Sequence, residues 1–190
     1  MAGRRERRER ALEEIAEEIR RCKKCELWKF RGTGVPGEGP ADAEMMIVGQ
    51  SPGRKEDEVG RPFVGPSGKY LNRLLEKAGL RREEIFVTSV LHSFLPSGAR
   101  VKREYVEACV PYLLRQIEVV RPKLMLVLGA VAAEALLGVK DFSEAHGKWF
   151  EKFGARVLVT YHPAAGMRFP EVGREMEGDC EAFSEMAHQG

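Results

Sequence analysis

Residues 45–65 read MMIVGQSPGRKEDEVGRPFVG, an apolar run followed by a turn rich in glycine, proline and serine. A short apolar run between turn residues predicts a buried strand. Similar runs occur at EIFVTSVLHSF (84–94), KLMLVLG (123–129) and ARVLVTYHP (155–163). Apolar strands of this kind are typical of a parallel sheet that is covered on both faces.

Segments with a helical spacing of apolar residues separate these strands. They are PSGKYLNRLLEKAGL (66–80), VKREYVEACVPYLLRQIEVVRP (101–122), AVAAEALLG (130–138) and the tail from Arg174 to Ala187. Ser67 is the expected N-cap of the first of these helices, and the charged segment 1–21 predicts one more helix. The alternation predicts a three-layer α/β/α fold with a central, mostly parallel four-stranded sheet.

Composition bounds the class of protein. The chain has 190 residues, 43% of them hydrophobic and 32% charged, which predicts one soluble domain over residues 1–190. A net charge of +2 does not by itself indicate a nucleic-acid partner. Gly129 and Glu134 interrupt the longest apolar stretch, which argues against a membrane span. The lack of an apolar signal segment favours a cytoplasmic location, and the scarcity of Asn and Gln favours a thermophilic source.

The arginines of segment 1–21 have two interpretations. They alternate with glutamates, which is the usual pattern of a solvated helix face. A DNA-binding role for the same arginines is the alternative.

Functional sites in such folds gather beyond the carboxyl ends of the strands. Two segments at that position have unusual turn chemistry, GQSPG (49–53) and YHPAAGMR (161–168). GQSPG matches neither the Walker pattern nor G-x-G-x-x-G, so it is either a tight turn or a binding loop. His162 ends a strand and precedes Pro163, a position that favours an active site over a purely structural role.

An aromatic residue and a loop extend this candidate site. Phe63 lies in VGRPFVGPSG (59–68), where it is either a core residue or a surface on which a flat ring stacks. In GMRFP (166–170), Met167 is suited to act as an apolar wedge in DNA, and Arg168 to bind phosphate. The simpler interpretation of that segment is a connection to the last helix.

The cysteines are Cys22, Cys25, Cys109 and Cys180. In the absence of a secretion signal, C-x-x-C spacing is more typical of a metal, cluster or redox site than of a disulfide. Cys180 lies in the last predicted helix and is not expected to join the other three.

Taken together, these segments resemble the uracil-DNA glycosylase superfamily and, within it, the iron–sulfur enzymes of family 4. The shared motifs are CKKC (22–25), GQSPG (49–53), ED (56–57), GRPFVGPSG (60–68), LGAVAAE (128–134), HGKW (146–149) and HPAAGMR (162–168). They occur in the family's order and extend over nearly the whole chain. On that co-linearity the chain is identified as a divergent member of family 4.

The resemblance implies a DNA-repair hydrolase that flips a damaged nucleotide out of the duplex and cleaves its N-glycosidic bond. Phe63 would stack on the base, and His162 would stabilise the charge that develops on it. The loop that contains Gln50 and Ser51 would offer backbone donors to the base and position water.

The same resemblance assigns residues that hold the DNA. Gly166, Met167 and Arg168 would form a wedge and phosphate clamp. Ser67 and Lys69 would contact phosphates.

Two positions in the catalytic centre depart from the family's pattern. Gln50 stands where the family has a glutamate, and because glutamine cannot ionise, Glu56 would assume part of that role. Ser89 stands where the family has an asparagine that pairs with the uracil edge. A single hydroxyl offers fewer contacts, which predicts altered selectivity, with hypoxanthine or xanthine as other candidate bases.

The third departure concerns the [4Fe–4S] cluster that the resemblance implies. Cys22, Cys25 and Cys109 match three family ligands, and Ser93 stands in register with the fourth. Because such a cluster normally takes four cysteines, either the Ser93 oxygen or the His92 nitrogen would complete the set and give a more labile cluster, or the fourth iron would be lost. A vestigial or zinc-like site is the alternative.

We therefore predict a monomeric DNA glycosylase that acts on damaged DNA and has no membrane partner. The principal alternative is a non-catalytic DNA-lesion-binding homologue. An electron-transfer or redox-sensing protein is a third interpretation, which rests on the C-x-x-C motif alone.

Overall fold

A central sheet organises the chain in the computed structural model, which describes residues 2–190 and has five strands within them. The strands are β1 (Met45–Gly49), β2 (Ile85–Ser89), β3 (Leu124–Leu128), β4 (Trp149–Lys152) and β5 (Ala155–Thr160). Their order across the sheet is β2-β1-β3-β5-β4. All neighbouring pairs are parallel except β4 and β5, which are antiparallel.

Helices connect and cover the strands. They are α1 (Ala2–Arg21), α2 (Arg54–Val59), α3 (Pro66–Lys77), α4 (Arg103–Val120), α5 (Ala130–Leu137), α6 (Pro163–Arg168) and α7 (Pro170–Gln189). Short 3₁₀ turns occur at Glu26–Lys29, Arg82–Glu84 and Phe142–Glu144. In the described chain, no helix is long and apolar enough to cross a membrane.

Alternate residues of each strand enter two separate cores, which accounts for the three layers. In β1, Met46 and Val48 pack with α4 and α5 on one face, whereas Ile47 packs with α3 and α7 on the other. The mostly parallel sheet between two helical layers is therefore confirmed.

Two details of the prediction are wrong. The predicted sheet lacked β4. This edge strand has no continuous apolar run that would predict it, because its residues are only half-buried or exposed. A two-residue turn joins it to β5, with positive φ at Phe153 and Gly154. Ser67 is not the N-cap of α3, because the helix begins at Pro66 and Gly65 is the capping residue.

The strand register aligns the carboxyl ends of the parallel strands. Gly49 lies opposite Ser89, and Leu128 lies opposite Thr160. The segments that leave these strands therefore meet along the carboxyl edge of the sheet, formed by the strand ends, where the predicted site residues lie.

Candidate active site

A cavity of about 320 Å³ opens at this edge of the sheet. Its lining includes the catalytic and base-binding residues expected from the sequence, namely Gln50, Ser51, Glu56, Phe63, Ser89 and His162. Ser67 lines it as well. The size lies at the lower end of the range for small-molecule sites.

One wall of the cavity was not foreseen. Residues 95–99, the loop LPSGA, line it together with the loop 50–53. The signal was available in the sequence, because this Pro-Ser-Gly turn closely follows β2 and so lies at the carboxyl edge of the sheet.

His162 follows β5 and begins α6 as its N-cap. Its Nδ1 accepts a hydrogen bond from the Ala164 N–H at 3.1 Å, so the neutral ring carries its proton on Nε2. Burial lowers the pKa of His162, which favours that neutral form. Gly129 has φ +90°, and a Cβ there would lie 3.1 Å from the His162 Cβ, so glycine allows this close approach.

Phe63 is both a core residue and part of the cavity wall. Only 7% of it is exposed, and its backbone adopts φ +50°, which is rare for an aromatic residue. A Cβ on Gly49 would lie 2.3 Å from the Phe63 ζ carbon, so the ring lies directly against the end of β1. Both interpretations of Phe63 from the sequence are therefore compatible with its position.

Arg82 binds the backbone of the loop that contains Phe63, and it was not predicted from the sequence. Its Nη1 donates to the Phe63 carbonyl at 2.6 Å and to Asn72 Oδ1 at 3.0 Å, and its Nη2 donates to the Pro62 carbonyl at 2.5 Å. Glu38 lies 3.5 Å from the same guanidinium. These contacts fix the left-handed backbone that presents the Phe63 ring.

The two adjacent carboxylates after GQSPG both bind backbone N–H groups. Glu56 accepts from Gly53 at 3.3 Å and from Gly65 at 2.9 Å, which ties two walls of the cavity together. Asp57 accepts from Gly32 at 3.0 and 2.9 Å. Glu56 therefore lines the cavity with each of its oxygens already engaged.

Gln50 and Ser89 stand at the ends of adjacent strands. The Gln50 carbonyl accepts from the Leu91 N–H at 2.8 Å, which extends the pairing of β1 and β2 past the strand ends. Ser89 is 6% exposed and lines the cavity beside it. The side chains at these two altered positions therefore face the same small volume.

The residues expected to contact DNA differ in their exposure. Lys69 and Arg168 are exposed, and Met167 is 46% exposed on α6. Gly166 is buried, and a Cβ there would lie 2.7 Å from Met176 Sδ and 2.8 Å from Tyr70 Oη. Its place is thus in the packing of the helix that carries Met167 and Arg168.

A second group of polar residues, here termed the cysteine corner, consists of Cys22, Cys25, His92, Ser93 and Cys109 with Arg31. Burial, together with the nearby thiols of Cys25 and Cys22, raises the pKa of the Cys109 thiol to about 11. The three thiols therefore share one region, whereas Cys180 is buried in the core on the opposite face of the sheet. All four cysteines are free.

No three His, Cys, Asp or Glu side chains in the described residues are grouped tightly enough to hold a single metal ion. A four-iron cluster differs from a single ion, because each ligand binds a different iron atom and the ligands are spread around the cluster. The donor set of the cysteine corner, three thiols with a buried imidazole and a buried hydroxyl, is compatible with such a cluster.

A family model for the uracil DNA glycosylase superfamily matches residues 36–186. The chain is 40% identical to the type-4 uracil-DNA glycosylase of Saccharolobus solfataricus over 184 residues, 92% of this chain and 85% of that protein. It is also 40% identical to that of Pyrobaculum aerophilum, over 90% of this chain and 92% of the relative, and 39% identical to that of Archaeoglobus fulgidus, over 93% of each.

The chain therefore belongs to the uracil-DNA glycosylase superfamily and, within it, to the type-4 enzymes. It is a DNA glycosylase, a hydrolase with DNA as its substrate, which confirms the enzyme class predicted from the motifs.

Proposed function

We propose that the chain excises uracil from DNA and that its selectivity extends to other deaminated bases, hypoxanthine or xanthine. The observation that carries the proposal is the convergence of His162, Phe63 and Ser89 on one cavity at the carboxyl edge of the sheet. Relatives at about 40% identity are named uracil-DNA glycosylases, which supports uracil as the first substrate.

In the proposed reaction the bond between the sugar C1′ and the base nitrogen breaks, and its electron pair goes to the base. The His162 Nε2–H donates to the base oxygen on which negative charge accumulates, and the Ser51 N–H adds a second donor. A neutral imidazole suffices for this role because it acts as a hydrogen-bond donor and need not transfer a proton.

A water molecule completes the hydrolysis by adding its oxygen to C1′, and its proton leaves to the base or to solvent. The Gln50 amide lines the cavity and would hold that water, although it cannot act as a base. We assign Glu56 a positioning role, because backbone N–H groups already occupy both of its oxygens.

Phe63 would stack on the flipped base, and α6 would keep the gap in the duplex open. Met167 is exposed and suited to fill the space that the base leaves, with Arg168 beside it to bind phosphate. Ser67 and Lys69 lie in the first turn of α3, Ser67 lines the cavity, and both would contact flanking phosphates.

We further propose that Cys22, Cys25 and Cys109 bind a [4Fe–4S] cluster. The cluster would cross-link the end of α1, the segment after it and α4 without taking part in base release. Arg31 adds a positive charge beside these thiolates, because its guanidinium donates to the Cys22 carbonyl at 2.7 Å.

The proposal is tested with excess protein and oligonucleotides that contain uracil, hypoxanthine, xanthine or cytosine, by measuring abasic sites in single turnover. We expect release of uracil, slower release of one of the purines, and none of cytosine. Tight lesion-dependent binding without release of any base would refute the proposal and leave a lesion-binding protein.

Two variants sharpen this test. Ser89→Asn restores the paired contact and should raise the preference for uracil over hypoxanthine by about tenfold or more. Glu56→Gln keeps the size of the side chain and should slow base release by no more than about tenfold, whereas loss of a general base would slow it by roughly 100-fold or more.

A further inference from the structure

His92 carries a buried nitrogen that has no partner. The residue is 1% exposed, and its Nδ1 lies 3.1 Å from the Val35 carbonyl. Because a carbonyl only accepts, the proton of the neutral ring is on Nδ1 and the Nε2 lone pair is free to bind. Among the described residues, Nε2 is the sole buried side-chain nitrogen or oxygen without a hydrogen bond. Such an atom in a folded protein requires an explanation.

The ring lies within the cysteine corner. The backbone N–H of His92 is directed at the Cys109 sulfur, and the His92 ring meets that of Tyr112 edge-on, with centroids 6.2 Å apart. The Tyr112 hydroxyl in turn lies beside the Cys22 thiol. The imidazole is therefore in the same buried region as two of the proposed cluster ligands.

Ser93, the residue in register with the family's missing cysteine, is already engaged. Its Oγ accepts from Arg31 Nη1 at 2.6 Å, and Arg31 Nη2 is anchored on the Cys22 and Arg20 carbonyls at 2.7 and 3.2 Å. A serine must also lose its proton to become a strong iron ligand, whereas a neutral imidazole binds as it is.

We propose that His92 Nε2 is the fourth protein ligand of the iron–sulfur cluster, with Cys22, Cys25 and Cys109, and that Ser93 serves as a hydrogen-bond partner of Arg31. This inference rests on the cluster proposed above. Replacement of a thiolate by a neutral imidazole makes the cluster less negative, which should raise its reduction potential relative to a four-cysteine cluster.

The test is spectroscopic and uses the whole chain, purified without oxygen and carrying ¹⁵N-labelled histidine. We expect about four irons per chain and, in the reduced cluster, a ¹⁵N hyperfine coupling detected by pulsed electron paramagnetic resonance. His92→Ala should lose that coupling and yield a three-iron signal on oxidation. Ser93→Ala and the control His188→Ala should keep both the coupling and the iron content.

His92→Cys provides a second variant, because a thiolate at the same position should retain four irons, abolish the coupling and lower the potential. Two results would overturn the assignment of His92 while leaving the cluster in place. One is the absence of nitrogen coupling in the iron-loaded wild type. The other is loss of iron in Ser93→Ala while His92→Ala keeps its full iron content. A wild type that binds no iron would refute the cluster as well, and base release in the glycosylase assay would still be measured independently.

Discussion

The base cavity and the cysteine corner both lie beyond the carboxyl edge of the sheet, but their polar groups are satisfied in different ways. At the cavity, Glu56 in its lining and Arg82 behind Phe63 each bind backbone groups of the loops that form the walls. In the corner, Arg31 bridges the Cys22 carbonyl to Ser93, and a buried nitrogen of His92 remains unpaired. The cavity is thus organised by the chain itself, whereas the corner keeps an unpaired nitrogen that would be available to the proposed cluster.

This difference assigns separate roles to the two regions. A preorganised cavity can stabilise charge as it develops, because its donors need not reorganise during the reaction. A corner whose segments come from residues 22–31, 92–93 and Cys109 gains order when a bound group links them. Changes in the cavity should therefore affect base release, and changes in the corner should affect stability while leaving base release largely intact.

The largest expected effect is that of His162→Ala. Loss of the Nε2–H donor should slow single-turnover release of uracil by about 100- to 1000-fold, with affinity for uracil-containing DNA changed little. The control is His188→Ala on α7, away from the cavity. A rate within a few-fold of wild type would contradict the assignment of His162.

Arg82→Ala should give the next largest effect. It removes the charge-assisted bonds to the Pro62 and Phe63 carbonyls, and should lower the free energy of unfolding by about 2–3 kcal/mol. Urea denaturation measures this loss. The matched control is Arg81→Ala, because Arg81 is exposed and pairs only with neighbouring glutamates.

Arg82 also bears on catalysis through the Phe63 platform. If the guanidinium positions the ring, Arg82→Ala should slow base release at saturating protein even at temperatures where the variant is folded. Arg82→Lys, which keeps the charge but cannot reach both carbonyls, should fall between wild type and Arg82→Ala. Equal rates for wild type and a folded Arg82→Ala would exclude a positioning role.

The order of the elements and much of the cavity could be predicted from the sequence because both depend on local patterns. Apolar runs specify buried strands, and parallel strands bring their carboxyl ends together. Gln50, Phe63 and His162 were found in this way, since each stands directly after a strand or within an unusual glycine-rich turn.

The residues that were missed act through contacts between distant parts of the chain. In the sequence, Arg82 is one of many charged residues and belongs to no motif. Only the tertiary structure brings its guanidinium to the Phe63 carbonyl. β4 has no apolar run, because it is an edge strand that pairs on one side. The choice between His92 and Ser93 likewise needed the hydrogen bonds of Arg31 and Val35, which no spacing rule supplies.

Removal of iron should further distinguish the cysteine corner from the base cavity. In the loaded protein, Cys22, Cys25 and Cys109 should resist a thiol reagent; after chelation under reducing conditions, the half-buried Cys22 and Cys25 should react first. Cys109 and Cys180, which are 4% and 1% exposed, should react only on unfolding. Mass spectrometry of the labelled peptides measures this order.

Base release by the iron-free chain should fall by less than about tenfold at a temperature where it remains folded, because none of the corner residues lines the cavity. The melting temperature should decrease by several degrees, since the loss of a bound group destabilises only the folded state. A complete loss of activity in folded, iron-free protein would contradict the separation of roles.

The smallest expected effect is the pH dependence contributed by His162. Its pKa in the folded protein is lowered from the ordinary value of 6.5 by burial, so below pH 6.5 the unfolded chain takes up a proton that the folded chain does not. Protonation of His162 therefore lowers the free energy of unfolding as the pH falls below 6.5. At higher pH the ring is neutral in both states and this penalty is absent. The difference in unfolding free energy between wild type and His162→Gln should be constant from neutral to mildly alkaline pH and shift against wild type as the pH falls.

The rate of base release should likewise show no inflection from His162 above pH 6.5, because the ring is already neutral there. An inflection above that value, present in wild type and absent in His162→Gln, would show instead that the protonated ring takes part in the reaction.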